Sequence, residues 1–419
     1  MQDNTPRVIA VDLTPVLPGG ENGGAKVFVI ELLRRLAANA RETHFVLLTQ
    51  GESHEELGAM DRANVSRHLV SVPAGAGAVR GGLQSIARNT LPHLPMQLRD
   101  LASRLGYRIH VALKRSGGRS LLRRLEADLL FCPFTAPTFF AQGVATVCVI
   151  YDLQHKTFPS FFAADDVANR EWSFQEACRR ADALVTISDY TRTTAIRVGR
   201  LDPERVQTIR LQLALRLAES LAEPAEVLAR LGLAEQGYLL YPANFWKHKN
   251  HEMLLTAFGI ACHAGISSDI RLVCTGAPGE RQRELAAAAD AMGLSKQVLF
   301  PGFLSNQDLF AILSRARGVV FPSLYEGFGL PVIEAMAAGV PVACSNTTAL
   351  PEVAGDAALL FDPRVPAQIS DAILRLASDE RVRLQLIGAG LERAVTFADA
   401  DRMVEEYWQL FRSVIASRA

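Results

Sequence analysis

Short apolar runs alternate with longer segments of helical periodicity along the first half of the chain. Residues 25–40 repeat apolar side chains at helical spacing, and residues 181–196 have the pattern of a strand leading into a helix capped near Ser188. Five apolar runs have the length and boundaries of strands: 7–13, 44–50, 68–73, 127–133 and 145–152. Buried strands that alternate with helices predict a parallel sheet covered on both faces.

The alternation stops within residues 213–235, which are rich in Leu, Ala and Glu, and then resumes. Further strands are predicted at 238–244, 270–276, 297–302, 318–323 and 341–345, with helices at 251–265, 280–294, 306–316 and 331–339. We therefore expect two α/β domains that face a cleft, at residues 1–215 and 216–398. Residues 399–419 form an amphipathic helix that we expect to return to the first domain.

The composition excludes several classes of protein. Lys plus Arg and Asp plus Glu both total 44, and this balance argues against a dedicated nucleic-acid-binding protein. The six cysteines are scattered without metal-ligand spacing, which predicts buried free thiols in a reducing compartment. The N-terminus lacks the pattern of a signal peptide, and no apolar run approaches the ~18 residues of a membrane span. We expect a cytoplasmic protein that is soluble or peripheral to a membrane.

The segment Arg88–Arg124 is locally basic, with nine Lys or Arg residues against the single acid Asp100, interspersed with leucines. Two interpretations remain open. The segment is either a surface that contacts anionic lipid or a lipid diphosphate, or a solvated helical face.

The segment 323–339, SLYEGFGLPVIEAMAAG, contains two carboxylates eight residues apart, Glu326 and Glu334. Pro331 predicts a helix start between them, because proline is favoured at the first helical position. The free N–H groups and the dipole of a helix start favour an anion, while carboxylates accept hydrogen bonds from hydroxyls. The pattern predicts a site for a phosphate flanked by sugars, which is a nucleotide sugar. The alternative is a surface loop with an acid that merely favours the helix dipole.

The full pattern E-G-F-G-L-P-x-x-E-A-M-A-x-G-x-P resembles the E-x7-E motif of retaining GT-B glycosyltransferases of family 4, the glycosyl transferases group 1. The resemblance is strong over residues 238–363 and looser before them. It implies the GT-B fold of two Rossmann-like domains. It also implies that Glu326 meets the hydroxyls of the donor sugar, that Glu334 holds the nucleotide ribose, and that the backbone amides of Phe328, Gly329 and Leu330 meet the diphosphate.

The same resemblance implies a cationic site for the diphosphate in the segment YPANFWKHKNHEMLLTAF. Lys249 stands where the family has a lysine, and we expect it to stabilise the leaving group. Asn244 stands where an arginine is usual, which leaves a two-cation site open. Lys247 or His248 could supply the second charge.

The resemblance assigns further positions around the donor and the acceptor. Gly23 and Gly24 match a Gly-Gly near the donor phosphate, although a tight turn explains them equally. In VCVIYDLQHKTF, Asp152 and His155 match an acceptor-side segment in which His155 could also be an ordinary loop histidine. Residues 303–304, Phe303 and Leu304, match a loop beside the nucleotide base.

The pair Asp399-x-Asp401 has the formal DxD pattern of metal-dependent glycosyltransferases. It lies at a predicted helix start, where acids cap the helix, so we predict no metal and no other cofactor.

The resulting hypothesis is a metal-independent, retaining transfer of a hexose to a glycan or lipid-linked hydroxyl. The wording around Lys249 resembles bacterial mannosyltransferases of surface polysaccharide assembly, including O-antigen, so GDP-mannose is the first expected donor and a UDP-hexose the second. The alternatives are a GT-B nucleotide-sugar epimerase, a phosphorylase, and a non-catalytic nucleotide-sugar-binding subunit. An NAD-dependent dehydrogenase is disfavoured because no G-x-G-x-x-G follows Leu13.

Overall fold

The computed structural model describes residues 5–18, 23–70, 121–212 and 223–418. The chain divides into two compact units. Unit 1 comprises Met1–Ile187, Thr191–Ile209 and Asp401–Ala419, and unit 2 comprises Ser188–Tyr190 and Arg210–Ala400. Each unit contains a parallel sheet with helices, so the predicted α/β class is confirmed.

Unit 1 is built on a seven-stranded sheet whose neighbouring strands all pair in parallel, in the order β3-β2-β1-β4-β5-β6-β7. Its strands are β1 Val8–Asp12, β2 His44–Thr49, β3 Val65–Leu69, β4 Leu129–Cys132, β5 Ala145–Ile150, β6 Ala183–Thr186 and β7 Val206–Thr208.

Unit 2 is built on a six-stranded parallel sheet in the order β10-β9-β8-β11-β12-β13. Its strands are β8 Tyr238–Pro242, β9 Arg271–Thr275, β10 Val298–Gly302, β11 Gly318–Phe321, β12 Val342–Ser345 and β13 Ala358–Phe361.

Most of the helices lie between strands, as parallel connections require, and the last three follow β13. In chain order they are α1 Gly23–Asn39, α2 Glu52–Glu56, α3 Gln154–Thr157, α4 Ala164–Arg180, α5 Asp189–Gly199, α6 Pro224–Leu231, α7 His251–His263, α8 Glu280–Ala291, α9 Asn306–Leu313, α10 Leu330–Ala337, α11 Leu350–Ala354, α12 Pro366–Ser378, α13 Glu380–Val395 and α14 Ala400–Ala416. Single 3-10 turns occur at Leu57–Met60, Pro159–Phe161, Pro203–Arg205 and Lys247–Lys249.

The centre of each sheet is fully buried, because helices cover both of its faces. Every residue of β4 and β5 is buried in unit 1, and every residue of β11 and β12 is buried in unit 2. This burial is the reason that central strands appear as continuous apolar runs in the sequence. The six cysteines are free thiols, four of them buried, as the scattered spacing predicted.

The last helix, α14, completes the core of unit 1. The ring of Phe131 on β4 lies 5.8 Å from the ring of Tyr407 and 5.1 Å from that of Phe411, measured between centroids. Arg418 pairs with Asp182 at 2.8 Å. The predicted return of the C-terminal helix to the first domain is therefore confirmed.

In unit 1 one predicted strand is displaced, and one predicted surface lies mostly outside the described residues. The strand expected at residues 68–73 begins three residues earlier. It is β3, Val65–Leu69, and its residues pair in register with Phe45–Thr49 of β2. Most of the basic segment Arg88–Arg124 lies outside the described residues, so its predicted lipid contact stays a prediction. In the described part of the chain, no helix combines the length and apolar character that a membrane span needs.

Candidate functional site

The loop between β11 and α10 carries the predicted pair of carboxylates. α10 begins at Leu330, one residue before Pro331, and its N-cap residue Gly329 has a φ of 109°. A Cβ atom on Gly329 would lie 2.6 Å from Cδ2 of Leu350, so the position requires glycine for both conformation and space. The expected sequence of glycine loop followed by helix is therefore present, and the amides of the helix start face the end of this loop.

Glu334 lies in the second turn of α10 and is 7% exposed. A carboxylate at this depth differs from the solvated helix-start acid of the alternative interpretation. Phe328, in the loop before α10, is also buried and packs its ring edge-on at 5.7 Å from Phe397. The side chain of Phe328 is thus part of the core, which leaves its backbone amide as the group available for a ligand.

Glu326 forms an ion pair with Lys249, with Oε1 and Nζ 2.6 Å apart. Both side chains are only about one-eighth exposed, at 13% and 12%. Nζ also lies 5.3 Å from the ring centroid of Phe321, at the end of β11. Sequence analysis predicted a function for each charged residue, and the structure adds that the two are direct partners in a largely desolvated site.

The turn that carries Lys249 is fixed to the segment that follows β11. The hydroxyl of Tyr241, on β8, donates to the carbonyl of Lys249 at 2.7 Å and lies 3.1 Å from Oγ of Ser323. The N–H of Leu324 donates to the carbonyl of His248 at 2.7 Å. These bonds hold the backbone of Lys249 close to the loop that presents Glu326.

Asn250 strengthens the same connection. Its φ is 62°, a left-handed conformation that asparagine tolerates better than most residues. Its Nδ2 donates to the carbonyls of Pro322 at 3.0 Å and Pro363 at 2.8 Å. Sequence analysis did not identify Tyr241 or Asn250 as site residues. The only local signal was the asparagine itself, which adopts a left-handed conformation more readily than most residues.

His251 is the first residue of α7, two residues after Lys249, and is 2% exposed. Its ring centroid is 4.7 Å from that of Tyr241 and 5.0 Å from that of Phe245. Burial, together with the nearby positive charges of Lys249, Arg281 and His248, lowers the pKa of His251 to about 3. His251 is therefore neutral at physiological pH and leaves Lys249 as the buried cation of the turn.

Asn244 stands at the position where the family has an arginine. Its side chain is exposed and makes a hydrogen bond between two loops of unit 2. Its Oδ1 accepts the N–H of Ala277 at 2.9 Å and so connects the loops that follow β8 and β9. Lys247 is exposed and His248 is half-buried. The replacement of the missing arginine by Lys247 or His248 stays a prediction.

Phe303 and Leu304 follow β10 directly, at the carboxyl end of the sheet of unit 2. The side chain of Phe303 is 73% exposed, whereas Leu304 is half-buried. An exposed phenylalanine presents a free ring face, which is the property that stacking on a base requires.

The remaining predicted site residues belong to unit 1. Gly23 and Gly24 are the first two residues of α1. Asp152 is half-buried, and its Oδ1 accepts the N–H of Gln154 at 3.0 Å. His155 is buried, with Nε2 3.4 Å from Oε2 of Glu171, and burial lowers its pKa although Glu171 opposes the shift. These contacts favour a structural histidine, while the acceptor-side assignment of Asp152 and His155 stays a prediction.

The pair Asp399-x-Asp401 lies at the start of α14. Asp401 is in the first turn, and its Oδ1 is 3.3 Å from NH1 of Arg35. Across residues 5–18, 23–70, 121–212 and 223–418 there is no group of three or more His, Cys, Asp or Glu side chains arranged to hold a metal ion. The ion pair with Arg35 fits the interpretation of Asp401 as a helix-start acid.

The chain is similar in sequence to known glycosyltransferases. Residues 226–393 match the family model described as glycosyl transferases group 1. The O-antigen chain mannosyltransferase B of Escherichia coli is 34% identical over 255 residues, covering 60% of this chain and 66% of that protein. The serotype-specific mannosyltransferase WbdA of Escherichia coli is 28% identical over 276 residues, covering 64% of this chain and 34% of that protein. The chain thus spans just under two thirds of the first relative and about a third of the second.

Solved structures match over nearly the whole chain. HepE of Anabaena, in complex with UDP and glucose, has a TM-score of 0.69 at 15% identity and covers 97% of this chain and 100% of its own. Sucrose-phosphate synthase of Thermosynechococcus elongatus has a TM-score of 0.69 at 19% identity, with coverages of 98% and 100%. At such identities the likeness concerns the fold alone, and it confirms the predicted GT-B class.

Proposed function

We propose that the chain is a glycosyltransferase, because residues 226–393 match the family model described as glycosyl transferases group 1. The proposed reaction moves a hexose from a nucleoside-diphosphate sugar to a hydroxyl of a glycan or a lipid-linked acceptor. The ion pair between Lys249 and Glu326 is the observation that carries the proposal, because it combines the two charges that this reaction needs in one largely desolvated site.

Lys249 is the proposed cation that stabilises the leaving group. As the anomeric C–O bond breaks, negative charge develops on the β-phosphate. A fixed cation directed at this charge stabilises the transition state more than the ground state, and removing one such donor costs about 10²–10³ in rate. The hydrogen bonds from Tyr241 to the turn of Lys249, and from Asn250 to the segment after β11, keep the cation in place without reorganisation.

Glu326 is the proposed acceptor for the hydroxyls of the donor sugar. A carboxylate has several acceptor sites, so Glu326 can keep its bond to Lys249 and accept a sugar hydroxyl as well. The bond to Lys249 withdraws charge from the carboxylate and makes it a better orienting group than a nucleophile. We therefore propose attack by the acceptor on the face that the phosphate leaves, with retention of configuration.

In this reaction the acceptor oxygen bonds to the anomeric carbon while the bond from that carbon to the phosphate oxygen breaks. The departing β-phosphate takes the proton of the acceptor hydroxyl. The products are the elongated acceptor and the nucleoside diphosphate. The amides of Phe328, Gly329 and Leu330 hold the diphosphate, and Glu334 accepts from the ribose. Lys249 and the α10 start supply the positive charge, so the proposal needs no metal.

For the donor we propose GDP-mannose first and a UDP-hexose second. The Escherichia coli relatives are an O-antigen chain mannosyltransferase and a serotype-specific mannosyltransferase. Their names support mannose as the transferred sugar and a polysaccharide as the acceptor. The Anabaena structure contains UDP, which supports the second donor. The proposed location is the cytoplasm, where nucleotide sugars are available, with Phe303 stacked on the base.

A thermal-shift panel of GDP-, UDP- and dTDP-sugars, each with and without EDTA, tests donor class and metal independence together. We expect the nucleotide sugars of one base to raise the Tm of the protein, by the same amount with and without EDTA. Transfer to a glycan acceptor is then measured with that donor. A chain that binds no nucleotide sugar, or binds one only when a metal is present, contradicts the proposal.

Asn244 supports a second candidate function, because it replaces the arginine that the family uses at the diphosphate. In that case the chain is a nucleotide-sugar-binding subunit without catalysis. Donor hydrolysis and transfer, measured separately, distinguish the two functions, since a pure binding protein shows neither activity. A GT-B epimerase would instead interconvert nucleotide sugars in the absence of any acceptor.

A further inference from the structure

Thr348, in the segment between β12 and α11, has an unusual backbone conformation. Its φ is 58°, in the left-handed region, where a β-branched residue is a genuine outlier. The residue is half-buried, and its Oγ1 accepts the backbone N–H of Glu326 at 3.0 Å, across 22 residues of sequence. A strained residue that bonds to a functional residue is a typical feature of active sites.

We propose that Thr348 is a positioning residue for Glu326, which acts by fixing the backbone from which that carboxylate extends. Glu326 is then held at two points: its N–H bonds to Thr348, and its carboxylate bonds to Lys249. The kinetic consequence rests on the function proposed above, whereas the hydrogen bond itself can be tested without a substrate.

The short segment that contains Thr348 contacts both ends of the functional loop. Thr348 bonds to Glu326 at its beginning, while Leu350, which is fully buried, packs against Gly329 at its end. Because Leu350 is fully buried and lies close to Gly329, a shift of the loop at that end would disturb the core. The two contacts define the path of the loop between the sugar-binding carboxylate and the start of α10.

The side chain of Thr348 explains why a strained residue occupies the position. Glycine would adopt a φ of 58° without strain, but it has no acceptor for the N–H of Glu326. Without this acceptor, the partly buried N–H must find water or another partner, and the loop gains freedom. Serine keeps the hydroxyl, so Thr348→Ser is the conservative variant.

Four variants test the proposal in a transfer assay. Thr348→Val removes the hydroxyl at nearly constant shape, and Thr348→Gly removes the hydroxyl and the strain together. We expect both to lower kcat by about 3–10-fold, the effect of one neutral hydrogen bond, with little change in KM for the donor. Thr348→Ser should keep the wild-type kcat. The matched control is Thr347→Val, because Oγ1 of Thr347 is buried and has no hydrogen-bond partner within the described residues.

The inference is wrong if Thr348→Val has wild-type kcat, or if the serine variant is as slow as the valine variant. It is also wrong if Thr348→Gly has the wild-type kcat, since the backbone conformation alone would then position Glu326 without the hydroxyl. Thermal unfolding of each variant confirms that the compared proteins are folded.

Amide hydrogen exchange at Glu326, measured without any donor, separates this inference from the proposed function. Thr348→Val should exchange faster at Glu326 than the wild type, while Thr348→Ser and Thr347→Val should not. If the wild type transfers no sugar but these exchange rates differ as expected, the proposed function fails and the positioning bond stands. Equal exchange rates in all four proteins overturn the inference whatever the activity.

Discussion

Nζ of Lys249 and Oε1 of Glu326 lie 2.6 Å apart, although 77 residues separate them in the chain. The two residues follow β8 and β11, which are neighbours in the sheet of unit 2. The carboxyl ends of neighbouring parallel strands lie at the same edge, which is where ligands bind in open α/β sheets. The sheet order therefore explains how a distant lysine and glutamate form one site.

Replacing the carboxylate should abolish transfer and spare nucleotide binding. In Glu326→Ala we expect kcat to fall by at least about 100-fold, because the variant lacks the proposed acceptor for the donor sugar and Lys249 loses its partner. The Kd for the nucleoside diphosphate, measured by calorimetry, should change little. Glu284→Ala, which removes an exposed carboxylate of α8, is the control and should retain wild-type activity. Near-normal turnover of Glu326→Ala contradicts the assignment.

The ion pair should also be visible in stability. Each of Lys249→Met and Glu326→Leu leaves the other member of the pair charged and without its partner at about 12–13% exposure. We expect each to lower the free energy of unfolding by about 1–3 kcal/mol. The double variant should lose less than the sum of the two, because neither partner is then left alone. Urea unfolding of the four proteins gives the coupling energy, and strict additivity would show that the two residues do not interact.

Gly329 should tolerate no side chain. In Gly329→Ala the Cβ would lie 2.6 Å from Leu350 at a φ of 109°, so we expect a loss of about 1–3 kcal/mol from overpacking and backbone strain. Gly339→Ala is the matched control: its φ is 69°, but no atom lies within 4 Å of the added Cβ. Only the conformational cost remains there, about 1 kcal/mol. Equal losses in the two variants, measured by urea unfolding, would rule out the clash with Leu350.

Asn250 combines a left-handed backbone with two side-chain hydrogen bonds, and two substitutions separate these contributions. Asn250→Gly keeps the conformation but loses the bonds to Pro322 and Pro363, which should cost about 1–3 kcal/mol of unfolding free energy. Asn250→Ala should lose about 1 kcal/mol more, because alanine disfavours a φ of 62°. If the alanine variant is as stable as the glycine variant, the conformation at this position carries no cost.

His251 should make stability depend on pH in the acidic range. Its pKa is lowered to about 3 in the folded state, from 6.5 in the unfolded chain. Above about pH 6.5 both states are neutral at this residue. Between about pH 6 and pH 3 the unfolded chain binds the proton first, so stability falls by about 1.4 kcal/mol per pH unit as the pH decreases.

The comparison with His251→Gln isolates this effect, since His155, whose pKa is also lowered, is present in both proteins. The difference in unfolding free energy between wild type and variant should be constant above pH 7 and should change in favour of the variant as the solution is acidified. Parallel pH profiles of the two proteins would show that His251 is not buried as a neutral group.

The sequence predicted the central strands of both sheets and the edge strand β10, but it failed at the other three edge strands. β11 and β12 are buried along their whole length, so their apolar runs stand out. β3 and β13 are edge strands whose residues are largely half-buried or exposed. Mixed burial leaves little contrast with the flanking loops. For this reason the position of β3 was displaced, and neither β7 nor β13 was predicted.

The site shows a similar division. The helix start at α10 is a local feature, and Pro331 with its flanking glycines made it predictable. The bond between Thr348 and Glu326 and those from Asn250 join residues that are 22, 72 and 113 positions apart, and no periodicity encodes such pairs. The family resemblance assigned functions to Lys249 and Glu326, but only the fold shows that they are partners.

The contact of Phe131 with Tyr407 and Phe411 has a consequence for the synthesis of the protein. Part of unit 1 precedes unit 2 in the sequence, yet its core includes α14, which is translated after unit 2. About 190 residues of unit 2 intervene, and at roughly 5–20 residues per second the ribosome needs about 10–40 s to produce them. The apolar surface of β4 that α14 covers therefore stays without its final partner during this time. The nascent chain completes the second unit before the first, in the reverse of their order in the sequence.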